Sequence, residues 1–241
     1  MQLADDLWPV PQTGPLTFTL IGSFFASACA AMLWCIWERQ PGALFGLGLD
    51  FLTIFGVVAL FSFDLADGMD AVAILAFALV CGSALLAVTI LPALRSPIVD
   101  HRQQPPLVRW SFIGSVLWLL AVGVALVLKA EKVLPWPVSD DLSVIVGGLF
   151  LGAGAYLGYG LLRPSWANSG GQLAAFLAYD VVLLYPLLAH FDDVASDLRV
   201  NLFVYSGVVI YSALLASYFL FVSAETRIRT VGNLLPDVKT G

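Results

Sequence analysis

An acidic side chain lies inside a long apolar segment of this sequence, in the stretch YDVVLLYP. Asp180 stands near the middle of the apolar run 171–191, which is long enough to cross a bilayer. A carboxylate at that depth costs at least about 2.5 kcal/mol to insert, and it usually faces a protein interior or a water-filled cavity. Pro186 follows and leaves one backbone carbonyl without its helical partner. We therefore predict a functional site here, with Tyr179 and Tyr185 beside the acid.

A second acid lies in another apolar segment. Asp50 is about 10 Å from the end of that segment, at a depth similar to that of Asp180. If the two helices touch, the two carboxyl groups cannot both ionise cheaply at low dielectric, and such a pair is typical of a proton carrier. The alternative is that each carboxyl group is protonated or hydrogen-bonded and only holds helices together. Further candidate lining residues are Tyr156 in the fifth segment, and Asn201, Tyr205, Tyr211 and Ser212 in the last one.

The elements that position these residues are apolar segments of membrane-spanning length. We predict an all-α bundle of seven membrane helices, because each segment has about 20 residues or more and turn-like sequences separate them. The predicted helices are 16–37, 43–63, 71–94, 107–128, 142–162, 171–191 and 198–223. Since the connections are short, we expect consecutive helices to be antiparallel neighbours.

The composition places the chain among membrane proteins. Of its 241 residues, 60% are hydrophobic and 12% are charged, whereas soluble domains have about 25% charged residues. No basic patch is present, which argues against nucleic acid as a partner. The expected partner is the lipid bilayer, and further candidates are other membrane subunits or a second copy of the chain. We expect an integral protein of a bacterial or archaeal cytoplasmic membrane.

The distribution of basic residues predicts the orientation, because Lys and Arg concentrate on the cytoplasmic side of membrane proteins. With the N-terminus outside, most basic residues fall in the inner segments. The inner ones are Arg39, Arg95, Arg102, Arg109, Arg163, Arg227, Arg229 and Lys239, and the outer ones are Lys129, Lys132 and Arg199. We therefore expect residues 1–15 to form a lead-in outside the membrane, residues 16–223 a single seven-helix domain, and residues 224–241 a cytoplasmic tail.

The fifth segment carries small residues at helical spacing. Gly148 and Gly152 form one GxxxG pair, and Gly154 and Gly158 form another. Small residues allow helix backbones to approach closely. We interpret these four glycines as a packing face within the chain, and a dimer interface is the alternative.

Residues that support catalysis or cofactor binding are scarce. Three cysteines lie in predicted helices without CxxC spacing, and His101 and His190 are the only histidines. Two histidines exclude bis-histidine ligation of two haems and argue against a histidine-rich metal site. We also find no nucleophile–base pair in the sequence. No catalytic residue and no metal ligand is therefore predicted, and the sequence argues more against an enzyme than for one.

The layout of the chain resembles that of microbial rhodopsins in its seven helices, outside N-terminus, length and short loops. The aromatic–proline pair Tyr185-Pro186 is also similar to a feature of that family. The resemblance implies retinal bound covalently to a lysine of the last helix. However, segment 198–223 contains no lysine, and segment 71–94 contains no charged residue where that family has aspartate and arginine. Covalent retinal is therefore not expected, and a relative without the lysine is a remote alternative.

Three functions are compatible with these patterns. The first is a small transporter or a proton or ion pathway built around Asp180 and Asp50. The second is a non-catalytic membrane subunit or anchor of a larger complex, in which the acids are structural. The third is an intramembrane enzyme or ligand sensor. A cavity that reaches Asp180 would favour the first function, whereas a dry bundle with one face covered by a partner would favour the second.

Overall fold

The computed structural model describes residues 15–66, 68–100, 102–189, 194, 196 and 198–228. Over these residues the chain forms eight α-helices, and seven of them are long and apolar enough to span a membrane. This confirms the predicted all-α architecture and the number of long helices, and it is compatible with an integral membrane protein. The seven are α1 (Pro15–Trp37), α2 (Leu44–Leu60), α3 (Gly68–Arg95), α4 (Pro106–Val127), α5 (Asp140–Leu162), α6 (Trp166–Ala189) and α7 (Arg199–Ser217).

Some of the predictions concern residues that the structure does not describe. Most of the lead-in (1–14), His101, His190 and most of the tail (229–241) lie outside the described residues. The first residues of the predicted tail are described, and they fold back on the end of α7. There, Thr226 Oγ1 donates a hydrogen bond to the carbonyl of Phe219 (2.8 Å).

Short turns extend two of the long helices. A 3-10 turn, Pro41–Ala43, leads into α2, since proline fixes φ and needs no N–H partner in a first turn. A π-helical turn, Tyr218–Val222, ends α7. The eighth helix is the four-residue Ser62–Leu65, which follows α2 after a break at Phe61. The predicted second helix therefore ends earlier than its apolar pattern suggested.

The start of α6 differs from the prediction. The sequence WANSGG contains residues that favour loops, and we predicted that the helix begins at Gly171. It begins instead at Trp166. Gly170 packs under the indole ring of Trp34 in α1, where an added Cβ would lie within 2.8 Å of a ring carbon. Packing against α1 thus outweighs the low helix propensity of glycine, which costs only about 1 kcal/mol.

The helices pack in two groups. One group contains α1, α6 and α7, joined by the α1–α6 and α6–α7 interfaces. The other contains α2, α3, α4 and α5, joined by the α2–α3, α2–α5 and α4–α5 interfaces. The two groups meet through smaller α1–α2 and α5–α6 contacts. The expectation that consecutive helices are neighbours therefore holds for α2–α3, α4–α5 and α6–α7, and through smaller contacts for α1–α2 and α5–α6. It fails for α3–α4, which form no extensive interface over the described residues. The α1–α6 and α2–α5 interfaces pair helices far apart in sequence.

Three of the four predicted packing glycines of α5 face another helix closely. A Cβ added at Gly152 would lie 2.9 Å from the backbone oxygen of Asp50 in α2. At Gly148 the nearest α2 atom would be at 3.3 Å, and at Gly154 the nearest α4 atom would be at 3.0 Å. Gly158 requires a correction, because a Cβ there would meet nothing within 4 Å. The packing face therefore does not include Gly158.

One end of the bundle is tied together by Arg102, in the loop between α3 and α4. Its guanidinium forms an ion pair with Asp100 (2.6 Å) and donates to the carbonyl of Glu225 after α7 (2.8 Å). It also lies 5.9 Å from the ring centroid of Trp166 at the start of α6. Gln40, between α1 and α2, accepts hydrogen bonds from the backbone of the same loop. The segments predicted to be cytoplasmic thus converge at this end, while its orientation relative to a membrane stays a prediction.

Candidate functional site

A cavity of about 340 Å³ lies between the two helix groups. Its wall contains both acids identified from the sequence, Asp50 from α2 and Asp180 from α6. Four of the predicted tyrosines and one predicted serine line the same cavity: Tyr156, Tyr179, Tyr205, Tyr211 and Ser212. The structure therefore brings these seven residues, from four different helices, to one site.

Two predicted pathway residues lie elsewhere. Tyr185 is 78% exposed and is not part of the cavity wall. It follows Asp180 by five residues, which turns its side chain about 140° away around a helix of 3.6 residues per turn. Asn201 donates a hydrogen bond to the carbonyl of Lys132 (2.7 Å) and so joins the start of α7 to the α4–α5 loop. Neither residue is therefore among the side chains that line this cavity.

Asp50 is held in place by the close approach of α2 and α5. Its carboxyl oxygen Oδ1 packs against Gly152 of α5. A side chain added at Gly152 would overlap this oxygen. Asp50 is 8% exposed, and Oδ1 has no hydrogen-bond partner in the described part of the chain. One carboxyl oxygen is therefore buried at the cavity without a donor.

Asp180 lies on the other side of the cavity. It is 1% exposed and forms a side-chain hydrogen bond with Ser212 of α7. Its second oxygen, Oδ2, has no partner among the described residues. Next to it, the hydroxyl groups of Tyr179 and Tyr205 are hydrogen-bonded to each other and join α6 to α7. One oxygen of Asp180 is thus buried without a donor, in a setting fixed by α7.

Aromatic side chains form much of the remaining wall, and sequence reasoning missed them. Phe24 of α1 packs edge-on against Tyr179 (ring centroids 5.2 Å apart) and against Phe150 (5.7 Å). Phenylalanine is frequent in every apolar segment of this chain, so its presence alone carries no signal. Only the helix pairing shows which rings face inward. The other missed aromatic and serine residues of the wall are Phe112, Trp118, Phe176, Ser27, Ser111 and Ser115.

The cavity reaches the side of the bundle between α4 and α7. Its exposed wall residues are Gly114 and Trp118 on α4, and Val208 and Tyr211 on α7. These two helices form no extensive interface over the described residues. The hydroxyls of Ser111 and Tyr211 are hydrogen-bonded to each other across the gap (2.6 Å). The exposed residues lie near the middle of both helices, so the opening faces the region where lipid chains would lie.

The charges of the wall have one sign. No Lys, Arg or His is among the described residues that line this cavity. No three His, Cys, Asp or Glu side chains are grouped for metal binding in the part of the chain that the structure describes. The site can hold or release protons at its carboxyl groups, accept hydrogen bonds from a ligand, and bind apolar groups along its aromatic wall.

No family model, no curated protein and no solved structure matches this chain.

Proposed function

We propose that this protein is a small membrane transporter with a proton or ion pathway, in which Asp180 and Asp50 bind and release the transported or coupling cation. The observation that carries the proposal is the shared cavity, because it collects two buried carboxyl groups from separate helix groups. Acidic side chains inside membrane helices typically mark ion pathways and proton relays.

The unpaired oxygens support a functional role over a purely structural one. A buried polar group without a partner costs roughly 1–3 kcal/mol, and native structures contain few of them. Asp50 Oδ1 and Asp180 Oδ2 carry this cost. They are two of nine such side-chain atoms among the described residues, and they are the two that belong to carboxyl groups of the cavity wall. A carboxyl group that only fastened helices together would gain stability from having both oxygens bonded. Two such groups at one cavity therefore favour binding of a cation or proton.

The packing of the bundle is compatible with a helix movement that changes access to the cavity. Asp180 belongs to the group α1–α6–α7, and Asp50 belongs to the group α2–α3–α4–α5. The two groups meet through small backbone interfaces and through side chains of one hydrophobic core. In this proposal, a limited rotation of one group against the other changes the separation of the two acids. Transporters commonly move one helix group against another around a central site.

Proton uptake by reconstituted vesicles tests the proposal. The purified protein is placed in liposomes with a pH-sensitive dye inside, and a potassium diffusion potential, negative inside, drives cations inward. We expect acidification with the wild-type protein and none with Asp180→Asn or Asp50→Asn, since an amide keeps the shape but cannot carry a proton. Asp64→Asn is the matched control, because Asp64 is exposed and lies outside the cavity. Full proton uptake by a folded Asp180→Asn protein, or none by the wild type, would contradict the proposal.

A second candidate function is a membrane subunit of a larger complex, and α3 is the observation that favours it. Helix α3 packs on α2, on the 3-10 turn before it and on the short helix Ser62–Leu65 after it. Its other faces carry exposed apolar side chains, including Phe77, Val80 and Val88. A partner subunit or lipid would cover them equally well. Purification in mild detergent distinguishes the two functions, because a subunit is expected to copurify with its partner at fixed stoichiometry.

A further inference from the structure

The wall of the cavity limits the chemistry of its occupant. A volume of about 340 Å³ lies within the range of small-molecule sites, roughly 300–1,000 Å³. Most of the wall surface is apolar, and nine aromatic side chains from α1, α4, α5, α6 and α7 contribute to it. On such a surface a sugar or a hydrated inorganic ion would lose more water contacts than the polar atoms of the wall could replace. The occupant therefore has an apolar body.

The charged groups specify the other end of the occupant. Asp50 and Asp180 both belong to the wall, each has one buried oxygen without a partner, and no cationic side chain is among the described residues that line the cavity. An anionic ligand would be repelled. An ammonium group would be attracted to the two carboxyl groups of the wall, to which it can donate hydrogen bonds.

The route into the cavity is consistent with such a molecule. The gap between α4 and α7 opens midway along both helices, where an integral membrane protein meets lipid chains. A Cβ added at Gly114 beside this gap would meet nothing within 4 Å. The Ser111–Tyr211 hydrogen bond is the link observed across it. A compound that partitions into the bilayer reaches this opening without crossing a polar barrier.

We infer that the cavity binds a lipophilic amine, which enters sideways from the bilayer between α4 and α7 and places its ammonium group at Asp180 and Asp50. The inference rests on the proposed transport function, for which it names the class of substrate. The apolar body of the amine lies along the aromatic wall, and the Ser111–Tyr211 pair separates when the ligand passes.

Equilibrium binding with a matched pair of ligands tests this assignment. Tritiated 4-hexylbenzylamine is the cationic probe, and 4-hexylbenzyl alcohol is its neutral analogue of nearly the same shape. With full-length protein in lipid nanodiscs, we expect the amine to bind at least about tenfold more tightly than the alcohol. Asp180→Asn and, independently, Asp50→Asn should reduce this preference while leaving alcohol binding intact. Asp64→Asn should leave both affinities unchanged.

Association rates test the route of entry. Gly114→Trp places a large side chain at the gap and should slow binding of the amine several-fold. Gly158→Trp is the matched control, since Gly158 also faces open space and lies outside the cavity wall. Equal association rates in the two variants would overturn lateral entry.

The outcomes separate this inference from the proposed function. Equal affinities of the wild-type protein for amine and alcohol would overturn the substrate class, even if proton uptake depends on Asp180. Amine binding that depends on Asp180, in a protein that takes up no protons, would support the binding site and overturn transport. Retention of the amine preference by both asparagine variants, each shown to be folded, would also overturn the assignment.

Discussion

The contact between Gly152 and α2 allows a sharp test of the fold. A methyl group added by Gly152→Ala would overlap Asp50 Oδ1, and it would lie 2.6 Å from Cγ1 of Ile54 and 2.9 Å from the Asp50 backbone oxygen. Ordinary van der Waals contact begins at 3.4 Å, so the backbone oxygen alone is about 0.5 Å too close. A backbone atom in the middle of a packed helix cannot move away alone. The α2–α5 interface must therefore separate.

The expected loss of stability follows from the cost of overpacking, and Gly158→Ala on the same helix is the control. Overpacking of this kind costs typically 1–3 kcal/mol. Gly158→Ala meets no atom within 4 Å, and replacing glycine by alanine within a helix stabilises it by roughly 0.5–1 kcal/mol. Both variants gain the same helix propensity, so the difference between them isolates the steric term. We expect Gly152→Ala to be less stable than Gly158→Ala by about 1–3 kcal/mol.

Unfolding in detergent micelles measures this difference. Both variants and the wild-type protein are unfolded with increasing sodium dodecyl sulfate in mixed micelles, and loss of helix is followed by circular dichroism. Gly152→Ala should unfold at a lower detergent fraction than the wild type, and Gly158→Ala should not. Equal midpoints for the two alanine variants would refute the packing that places Asp50 in the cavity wall.

Three further predictions concern contacts between helices and the orientation. Tyr179→Phe and Tyr205→Phe should each destabilise the fold by roughly 1–3 kcal/mol, because each leaves the hydroxyl of the other tyrosine unpaired. The double variant should lose less stability than the sum of the two single variants, and unfolding midpoints of all four proteins measure this double-mutant cycle. Arg102→Ala should lower the stability by about 1.5–3 kcal/mol, because it removes charge-assisted hydrogen bonds, including the one to the carbonyl of Glu225. An unchanged unfolding midpoint would contradict a stabilising role of these contacts. A cysteine at Gln103, in a protein otherwise free of cysteine, should react with impermeant thiol reagents only from the cytoplasmic side, and labelling from outside would reverse the orientation.

The number and type of the helices could be predicted from the sequence because apolar length is a local property. Each segment must satisfy its own backbone hydrogen bonds in lipid, and a run of about 20 apolar residues is the direct signal of that requirement. The start of α6 was missed because it depends on a distant residue. Gly170 is helical since Trp34 packs on it, and nothing within residues 166–171 indicates that contact.

Only part of the candidate site could be predicted, because some of its features are local in the sequence and others depend on helix packing. Charges in apolar segments are rare, so Asp50 and Asp180 stand out without any knowledge of packing. Tyr185 was assigned to the same site because it is close in sequence, although it lies on another face of α6. Which face turns inward is decided by the α1–α6 and α2–α5 interfaces, which join helices far apart in the chain. No local pattern reports those interfaces.

The position of Asp50 links the stability of the bundle to its proposed chemistry. The α2 and α5 backbones approach closely because Gly152 has no side chain, and the same contact buries Asp50 Oδ1 without a donor. Burial of an unpaired carboxyl oxygen costs roughly 1–3 kcal/mol, so the tight interface must offset that cost. Asp180 faces the cavity from the other helix group, where Ser212 satisfies part of its carboxyl group. In the proposed function, a cation or proton bound in the cavity would offset part of this cost at the two carboxyl groups.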